Sequence, residues 1–110
     1  MNAAEAARKA ALIMSERGHC KGDLIDSQGR VCNNGALMLA LGATEDHLRT
    51  EWFADYDFSC FEAIHVAEIG VLASQGNRQQ FIVDYNDADS TTGEDVILLL
   101  KLASEALEAA

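Results

Sequence analysis

The stretch that decides the fold is GEDVILLLKLASEAL, residues 93–107. Its apolar residues recur every three or four positions, which is the period of one face of an α-helix. The helix is expected to begin at Thr91, because Thr91 and Glu94 have the spacing of a capping box. We therefore predict a long amphipathic helix at the centre of the core, with one face that consists of Val96, Leu99, Leu100, Ala103 and Leu107.

Helical periodicity also predicts helices upstream of this stretch. Residues 3–17 place alanines on one helical face. Two short helices are predicted within residues 33–42 and 44–53. A longer, largely buried helix is predicted over residues 58–74, because apolar residues cover much of its circumference. The stretch NRQQFIVDYND, residues 77–87, fits either a strand or a helical turn, and we favour the helix.

Between the first two predicted helices, the stretch KGDLIDSQGRVCNN predicts a β-hairpin. Asp26 and Gly29 are turn formers between two short apolar pieces, and Arg30 completes the turn. Length and composition, with 49% hydrophobic and 24% charged residues, indicate a single globular domain over residues 1–110. The fold class is predicted as mainly α, with four to six helices and one short β-hairpin, or as α+β if the hairpin is counted.

Charge and hydropathy limit the partners and the compartment. Eight lysines and arginines against eighteen acidic residues give a formal charge of −10. This charge disfavours nucleic acid as a partner, because phosphate binding relies on basic side chains. The sequence has no apolar run of the roughly 18 residues that span a bilayer, and its alanine-rich start lacks the apolar block of a signal peptide. We expect a cytoplasmic protein with no nucleic-acid or membrane partner.

The cysteines Cys20, Cys32 and Cys60 are interpreted as small apolar side chains, which is the commonest role of free cysteine. Their odd number and a reducing cytoplasm argue against a disulfide framework. Structural zinc sites usually place ligands in pairs two to four residues apart, and the cysteines and histidines here form no such pair. We therefore expect no metal and no cofactor.

A small Cys–His thiol enzyme or metal-dependent enzyme stays open as an alternative, because a catalytic dyad is defined by geometry in the fold rather than by spacing. Cys20 or Cys32 would be the nucleophile, a histidine its base, and Asn86 or Asp87 would orient that histidine. The favoured interpretation of Asn86 and Asp87 is structural: their side chains bond backbone groups in a turn that leads into the Thr91 cap.

Two stretches carry a recognisable signature: CKGDLIDSQGRVCNNGA, residues 20–36, and YNDADSTTGEDVILLL, residues 85–100. They resemble an uncharacterised family of small actinobacterial and actinobacteriophage proteins. Its members carry a Cys, an Asp-x-x-Gly-Arg turn, a second Cys and a Gly-Ala, then an aromatic-Asn-Asp and a Thr before a helix. The resemblance covers most of the chain and implies an ancestry, but it implies no activity.

The favoured function is that of a small acidic binding or accessory protein without catalytic activity, encoded by a phage or an actinobacterium and contacting a host protein. In the stretch TEWFADYDFSCF, aromatic residues that can anchor an interface alternate with acidic ones. A self-associating structural module is a further alternative, so the partner is an unknown protein or a second copy of the chain. The residues predicted to bind the partner are Trp52, Phe53, Asp55, Tyr56 and Asp57.

Overall fold

The computed structural model of the protein describes residues 1–50 and 56–110. In this part of the chain six helices follow one another and no sheet forms, so the predicted mainly helical class is confirmed. None of the described helices is long and apolar enough to cross a membrane. The helices are α1 (Ala3–Arg17), α2 (Asn33–Ala40), α3 (Glu45–Thr50), α4 (Phe58–Ser74), α5 (Ile82–Asp87) and α6 (Gly93–Ala109).

The first and last helices, α1 and α6, pack against each other as an antiparallel pair. Gly93 at the start of α6 lies against His19, just beyond the end of α1, and Arg8 near the start of α1 pairs with Glu108 near the end of α6. The side of α1 that faces the core is almost entirely alanine, and short side chains allow the two helix axes to approach closely. α2 and α4 complete the bundle around this pair. The largest fully buried apolar side chains are Met14, Leu37, Ile64, Leu72 and Leu100.

The predicted β-hairpin does not form as a pair of strands. Val31 makes two isolated bridges instead, an antiparallel one with Ile25 and a parallel one with His19. The turn itself is present: the Asp26 N–H donates to the Arg30 carbonyl at 2.9 Å. Between His19 and Ile25 the chain bonds the end of α5 instead: the Gly22 N–H donates to Asp87 Oδ1, and the Cys20 carbonyl accepts from Asn86 Nδ2.

The cap of α6 lies one residue later than predicted. Thr92, not Thr91, is the N-cap residue, and its hydroxyl accepts from the Asp95 N–H at 3.2 Å while the Asp95 carboxylate accepts from the Thr92 N–H at 2.9 Å. The sequence offers two overlapping capping-box pairs, one with Glu94 and one with Asp95. Thr91 is buried and its N–H already donates to the Ala88 carbonyl at 3.0 Å, so the box uses the following threonine.

The long helix α4 spans the predicted residues 58–74, but it is not largely buried as predicted. Only three of its residues, Ile64, Glu68 and Leu72, are fully buried. Val66 is 71% exposed and Phe58 is 56% exposed. The helix is apolar on nearly all sides, yet the bundle covers only one of them.

Candidate functional site

All three cysteines are free thiols, and two of them are buried in the segment between α1 and α2. The Cys20 thiol donates to the carbonyls of Arg30 at 3.3 Å and Asp23 at 3.4 Å. Cys32 Sγ accepts from the Gly35 N–H at 3.3 Å and so caps α2. Burial raises the pKa of Cys20 to about 12 and also raises the pKa of Cys32. These thiols are therefore protonated at neutral pH, whereas a nucleophilic cysteine needs a lowered pKa.

His19 and His65 each bond an asparagine rather than a thiol. His19 Nε2 lies 2.8 Å from Asn86 Oδ1, and His65 Nε2 lies 2.8 Å from Asn34 Oδ1. Because an amide oxygen can only accept, each histidine carries a proton on Nε2 and donates it. Burial lowers the pKa of His65, which favours the neutral ring. Within the described residues no three His, Cys, Asp or Glu side chains gather closely enough to hold a metal ion.

Asn86, which is only 1% exposed, joins three segments of the chain. Its Oδ1 accepts from the Asn33 N–H at the start of α2, at 3.0 Å, as well as from His19. Its Nδ2 donates to the Cys20 carbonyl at 3.1 Å and to Asp87 Oδ1 at 2.9 Å. Asn86 thus bonds backbone groups, as the sequence indicated, but these groups lie more than fifty residues away in the chain rather than in a local turn.

The other residues with a predicted turn role also bond backbone groups. Asp87 Oδ1 accepts from the Gly22 N–H at 3.1 Å, which ties α5 to the segment after α1. Asp26 Oδ1 accepts from the Arg30 N–H at 2.9 Å, and Asp26 Oδ2 accepts from Arg30 Nε at 2.6 Å. Gly29 has a φ of +82°, a left-handed conformation that glycine adopts without strain. Together these contacts fix the long segment between α1 and α2 without strands.

Sequence reasoning did not single out the buried pair formed by Asn33 and Glu68. Glu68 is fully buried on the inner side of α4, and its Oε1 accepts from Asn33 Nδ2 at 3.1 Å. Burial raises the pKa of Glu68 to about 8, although the Asn33 bond acts in the opposite direction. The spacing carried a signal for this residue, because Glu68 lies one helical turn from both Ile64 and Leu72 on the buried face of α4.

Of the residues predicted to bind a partner, Trp52, Phe53 and Asp55 lie outside the described residues. Tyr56 lies beside the start of α4, with its ring centroid 5.5 Å from that of Phe61 and 6.3 Å from that of Phe58.

Asp57 is exposed and is the N-cap residue of α4, where its Oδ1 accepts from the Cys60 N–H at 3.1 Å. This hydrogen bond lowers the pKa of Asp57. Tyr56 and Asp57 therefore lie at one end of the exposed side of α4.

That exposed side is called the outer face of α4 below. Its members follow helical spacing along the whole helix, and Glu62 is the one charged residue among them. Its large exposed apolar side chains are Phe58 and Val66, which lie two helical turns apart on either side of Glu62. The outer face of α4 consists of Phe58, Glu62, Val66, Gly70 and Ala73.

Comparison with known proteins gives a family but no activity. No curated protein and no solved structure shows a significant match to the chain. A family model described as "Family of unknown function (DUF6197)" matches residues 1–106. The prediction of an uncharacterised family is thus confirmed over nearly the whole length. The chain belongs to the family of unknown function DUF6197.

Proposed function

We propose that the protein is a non-catalytic binding protein, and that the outer face of α4 docks a basic amphipathic helix of a partner protein. The observation that carries the proposal is the exposure of Val66 and Phe58 on a helix whose other side is packed in the core. Burying an apolar side chain of this size stabilises a complex by about 1.5–3 kcal/mol. A few such residues along one face are the usual anchors when a helix lies in a groove or on a face.

The charge around this face supports a basic partner. Asp57 and Glu62 are exposed on or beside the face, and Asp84 is exposed on α5, which packs against α4. The sequence of α4 contains no lysine or arginine, and the whole chain has a formal charge of −10. A helix with an apolar stripe flanked by lysines or arginines complements both properties. A second copy of this acidic chain, a nucleic acid or an anionic lipid surface would be repelled.

The state of the thiols and histidines supports a non-catalytic role over a small Cys–His enzyme. The Cys20 thiol donates to carbonyls, Cys32 caps a helix, and His19 and His65 bond amide oxygens. Each of these groups thus has a structural partner. We further propose that the protein acts in the cytoplasm of an actinobacterium, with a phage or bacterial gene as its source and a host protein as its partner.

The experiment uses a synthetic 18-residue helix of leucine and lysine, arranged so that one face is apolar and the other basic. Its binding to the full chain is measured by calorimetry at near-physiological salt, where long-range charge attraction is screened beyond about 8 Å. We expect binding, and we expect Val66→Gln to weaken it about tenfold, which corresponds to about 1.4 kcal/mol. Glutamine is a better helix former than valine, so the change removes apolar surface without weakening the helix.

The matched control is Leu12→Gln, because Leu12 is 58% exposed on α1, away from the outer face of α4. This variant should bind the peptide as well as the unmodified protein does. A peptide of the same composition in scrambled order tests for attraction by charge alone. The proposal is wrong if the ordered peptide does not bind, if the scrambled peptide binds equally well, or if Val66→Gln and Leu12→Gln have equal effects.

The alternative function is that of a self-associating module, and the molecular mass in solution distinguishes it from the proposed function. We expect the full chain to remain a monomer at the concentrations of the calorimetry experiment, as measured by light scattering coupled to gel filtration. A dimer that dissociates in the Val66→Gln variant would assign the outer face of α4 to a second copy and would contradict the proposed partner.

A further inference from the structure

Among the described residues, two buried side-chain atoms have no hydrogen-bond partner: Asn33 Oδ1 and Glu68 Oε2. Both belong to one pair, which is already joined by the bond from Asn33 Nδ2 to Glu68 Oε1 at 3.1 Å. Asn33 is 1% exposed and Glu68 is fully buried, so bulk water does not reach either group. Buried polar atoms nearly always have a hydrogen-bond partner. Because the two exceptions belong to residues that bond each other, we look for one cause of both.

A proton on Glu68 supplies that explanation. An ionised carboxylate offers only acceptors, and an amide oxygen is also an acceptor, so the two orphaned atoms cannot bond each other in that state. A protonated carboxyl group has one O–H donor, and its second oxygen still accepts from the amide. One added proton therefore gives both orphaned atoms a partner and leaves the existing bond in place.

We infer that folded Glu68 is protonated at neutral pH and donates its Oε2–H to Asn33 Oδ1, so that a two-bond ring joins α4 to the start of α2 and opens when Glu68 ionises. This joint lies on the opposite side of α4 from the proposed docking face. It does not depend on the proposed function, and each can fail without the other.

Apart from the Asn33 bond, which favours the ionised form, the buried residues of the helices α1 and α6 bring no charge to Glu68. The buried residues of α1 are alanines and Met14, and those of α6 are apolar except Ser104, which bonds Arg8 and the Ala4 carbonyl. Asn86, the buried polar residue of α5, already makes its four hydrogen bonds elsewhere.

The titratable neighbours on the packed elements also provide no cation. On α4 itself, burial lowers the pKa of His65 and so keeps its ring neutral. On α5, burial raises the pKa of Tyr85, and Asp87 bonds the Gly22 N–H and Asn86. The remaining charged residue of α4, Glu62, is exposed on its outer face. Burial without a cation is the situation that keeps a carboxyl group protonated.

The consequence is a stability that falls as the pH rises. Burial raises the pKa of Glu68 from 4.5 to about 8, so between these values the folded protein holds a proton that the unfolded chain has released. The contribution of the Glu68 proton to the free energy of unfolding is fully present below pH 4.5. It declines as the pH rises and is lost once the pH has passed through about 8. Because unfolding releases this one proton, the folding equilibrium constant falls by up to about tenfold for each unit that the pH rises in this window.

The test compares the unmodified protein with Glu68→Gln across this pH window. A glutamine amide donates to Asn33 Oδ1 and accepts from Asn33 Nδ2, as the protonated acid would, but it cannot ionise. Urea unfolding at a series of pH values should give a ratio of folding constants, unmodified protein to variant, that falls up to about tenfold per pH unit and then levels off. His65 is present in both proteins, so its own titration cancels in the ratio.

The control is Glu62→Gln, which removes an exposed glutamate from the same helix and should leave the pH profile of the unmodified protein unchanged. A second measurement needs no variant: the ¹³C shift of the Glu68 carboxyl carbon should report a protonated group at neutral pH. The inference is overturned if that carbon titrates near the ordinary glutamate value, or if the pH profiles of the unmodified protein and Glu68→Gln run parallel.

Discussion

At the scale of single residues, the Asn86 side chain joins distant segments of the chain by hydrogen bonds, as the strands of a β-sheet do in other folds. Its side chain uses both lone pairs of Oδ1 and both hydrogens of Nδ2, and it bonds two segments that are distant in sequence, at His19–Cys20 and at Asn33, as well as its neighbour Asp87. Such a side chain cannot be shortened without leaving several buried groups unpaired, and each unpaired group costs about 1–3 kcal/mol.

We therefore expect Asn86→Ala to lower the free energy of unfolding by about 3 kcal/mol or more. Urea denaturation measures the loss. Asn77→Ala is the control, because Asn77 is only partly buried and its Oδ1 accepts one bond, from the Gln79 N–H at 3.0 Å. That variant should lose less than about 1 kcal/mol. Equal losses in the two variants would show that the four bonds of Asn86 stabilise the fold no more than the one bond that Asn77 accepts.

The chemistry of these residues was only partly readable from the sequence. That Asn86, Asp87 and Asp26 bond backbone groups follows from their short polar side chains, which suit such bonds wherever the backbone comes near. Their distant partners could not be predicted, because no local pattern encodes which loop passes beside them. Glu68 was missed because a lone glutamate in a helix is usually exposed, and its burial depends on which side of α4 the bundle covers.

At the scale of elements, helix α2 lies unusually close to the segment that precedes it. A Cβ atom built on Gly35 would lie 2.0 Å from the Leu24 carbonyl oxygen. This atom belongs to the backbone, and the same carbonyl accepts from the Cys32 N–H at 3.2 Å, so it cannot move away without breaking that bond. Glycine is thus required here by the close approach of two chain segments.

The expected result is that Gly35→Ala destabilises the protein by about 3 kcal/mol or more, because the clash is with backbone. Gly70→Ala is a matched change in a helix and should do the opposite. No atom lies within 4 Å of a Cβ built on Gly70, and replacing an exposed helical glycine with alanine stabilises by about 0.5–1 kcal/mol. Thermal unfolding of the two variants measures both shifts. Destabilisation by both, or by neither, would contradict the close approach.

The helices were the part of the fold that the sequence predicted best. α1 and α4 begin and end where the periodicity placed them, because helical spacing and local start and stop signals act within a few residues. The predictions are wrong where the outcome depends on how the helices pack against one another. The choice between Thr91 and Thr92 as cap depends on the burial of Thr91, and the exposed side of α4 depends on how the other helices pack.

At the scale of the whole molecule, the surplus of acidic residues sets the electrostatics. The ion pairs of the described residues involve Arg8, Arg17, Arg30 and Arg49, all at least partly exposed. Exposed pairs of this kind contribute at most about 1 kcal/mol each. Eighteen acidic residues share a body of 35 × 32 × 23 Å with eight basic ones, so most acidic side chains repel one another.

We expect the midpoint of thermal unfolding to rise when NaCl is increased from about 0.01 M to about 0.15 M. The screening length then falls from about 30 Å, which is close to the size of the molecule, to about 8 Å. The double variant Glu16→Gln/Glu105→Gln, which removes two exposed acidic charges, should show a smaller rise. A midpoint that falls with added salt would mean that attraction between opposite charges outweighs the repulsion.

The packing of α1 on α6 also bears on how the protein is made. A ribosome synthesises the chain from its amino end, and Gly18 to Thr92 must all be translated before the first residue of α6 exists. At roughly 5–20 residues per second, this interval lasts about 4 to 15 s. Once α2 has been made, the alanine surface of α1 has that helix as a partner, but it still lacks α6, the helix that it contacts most. The nascent polypeptide therefore completes its core only when its last helix emerges.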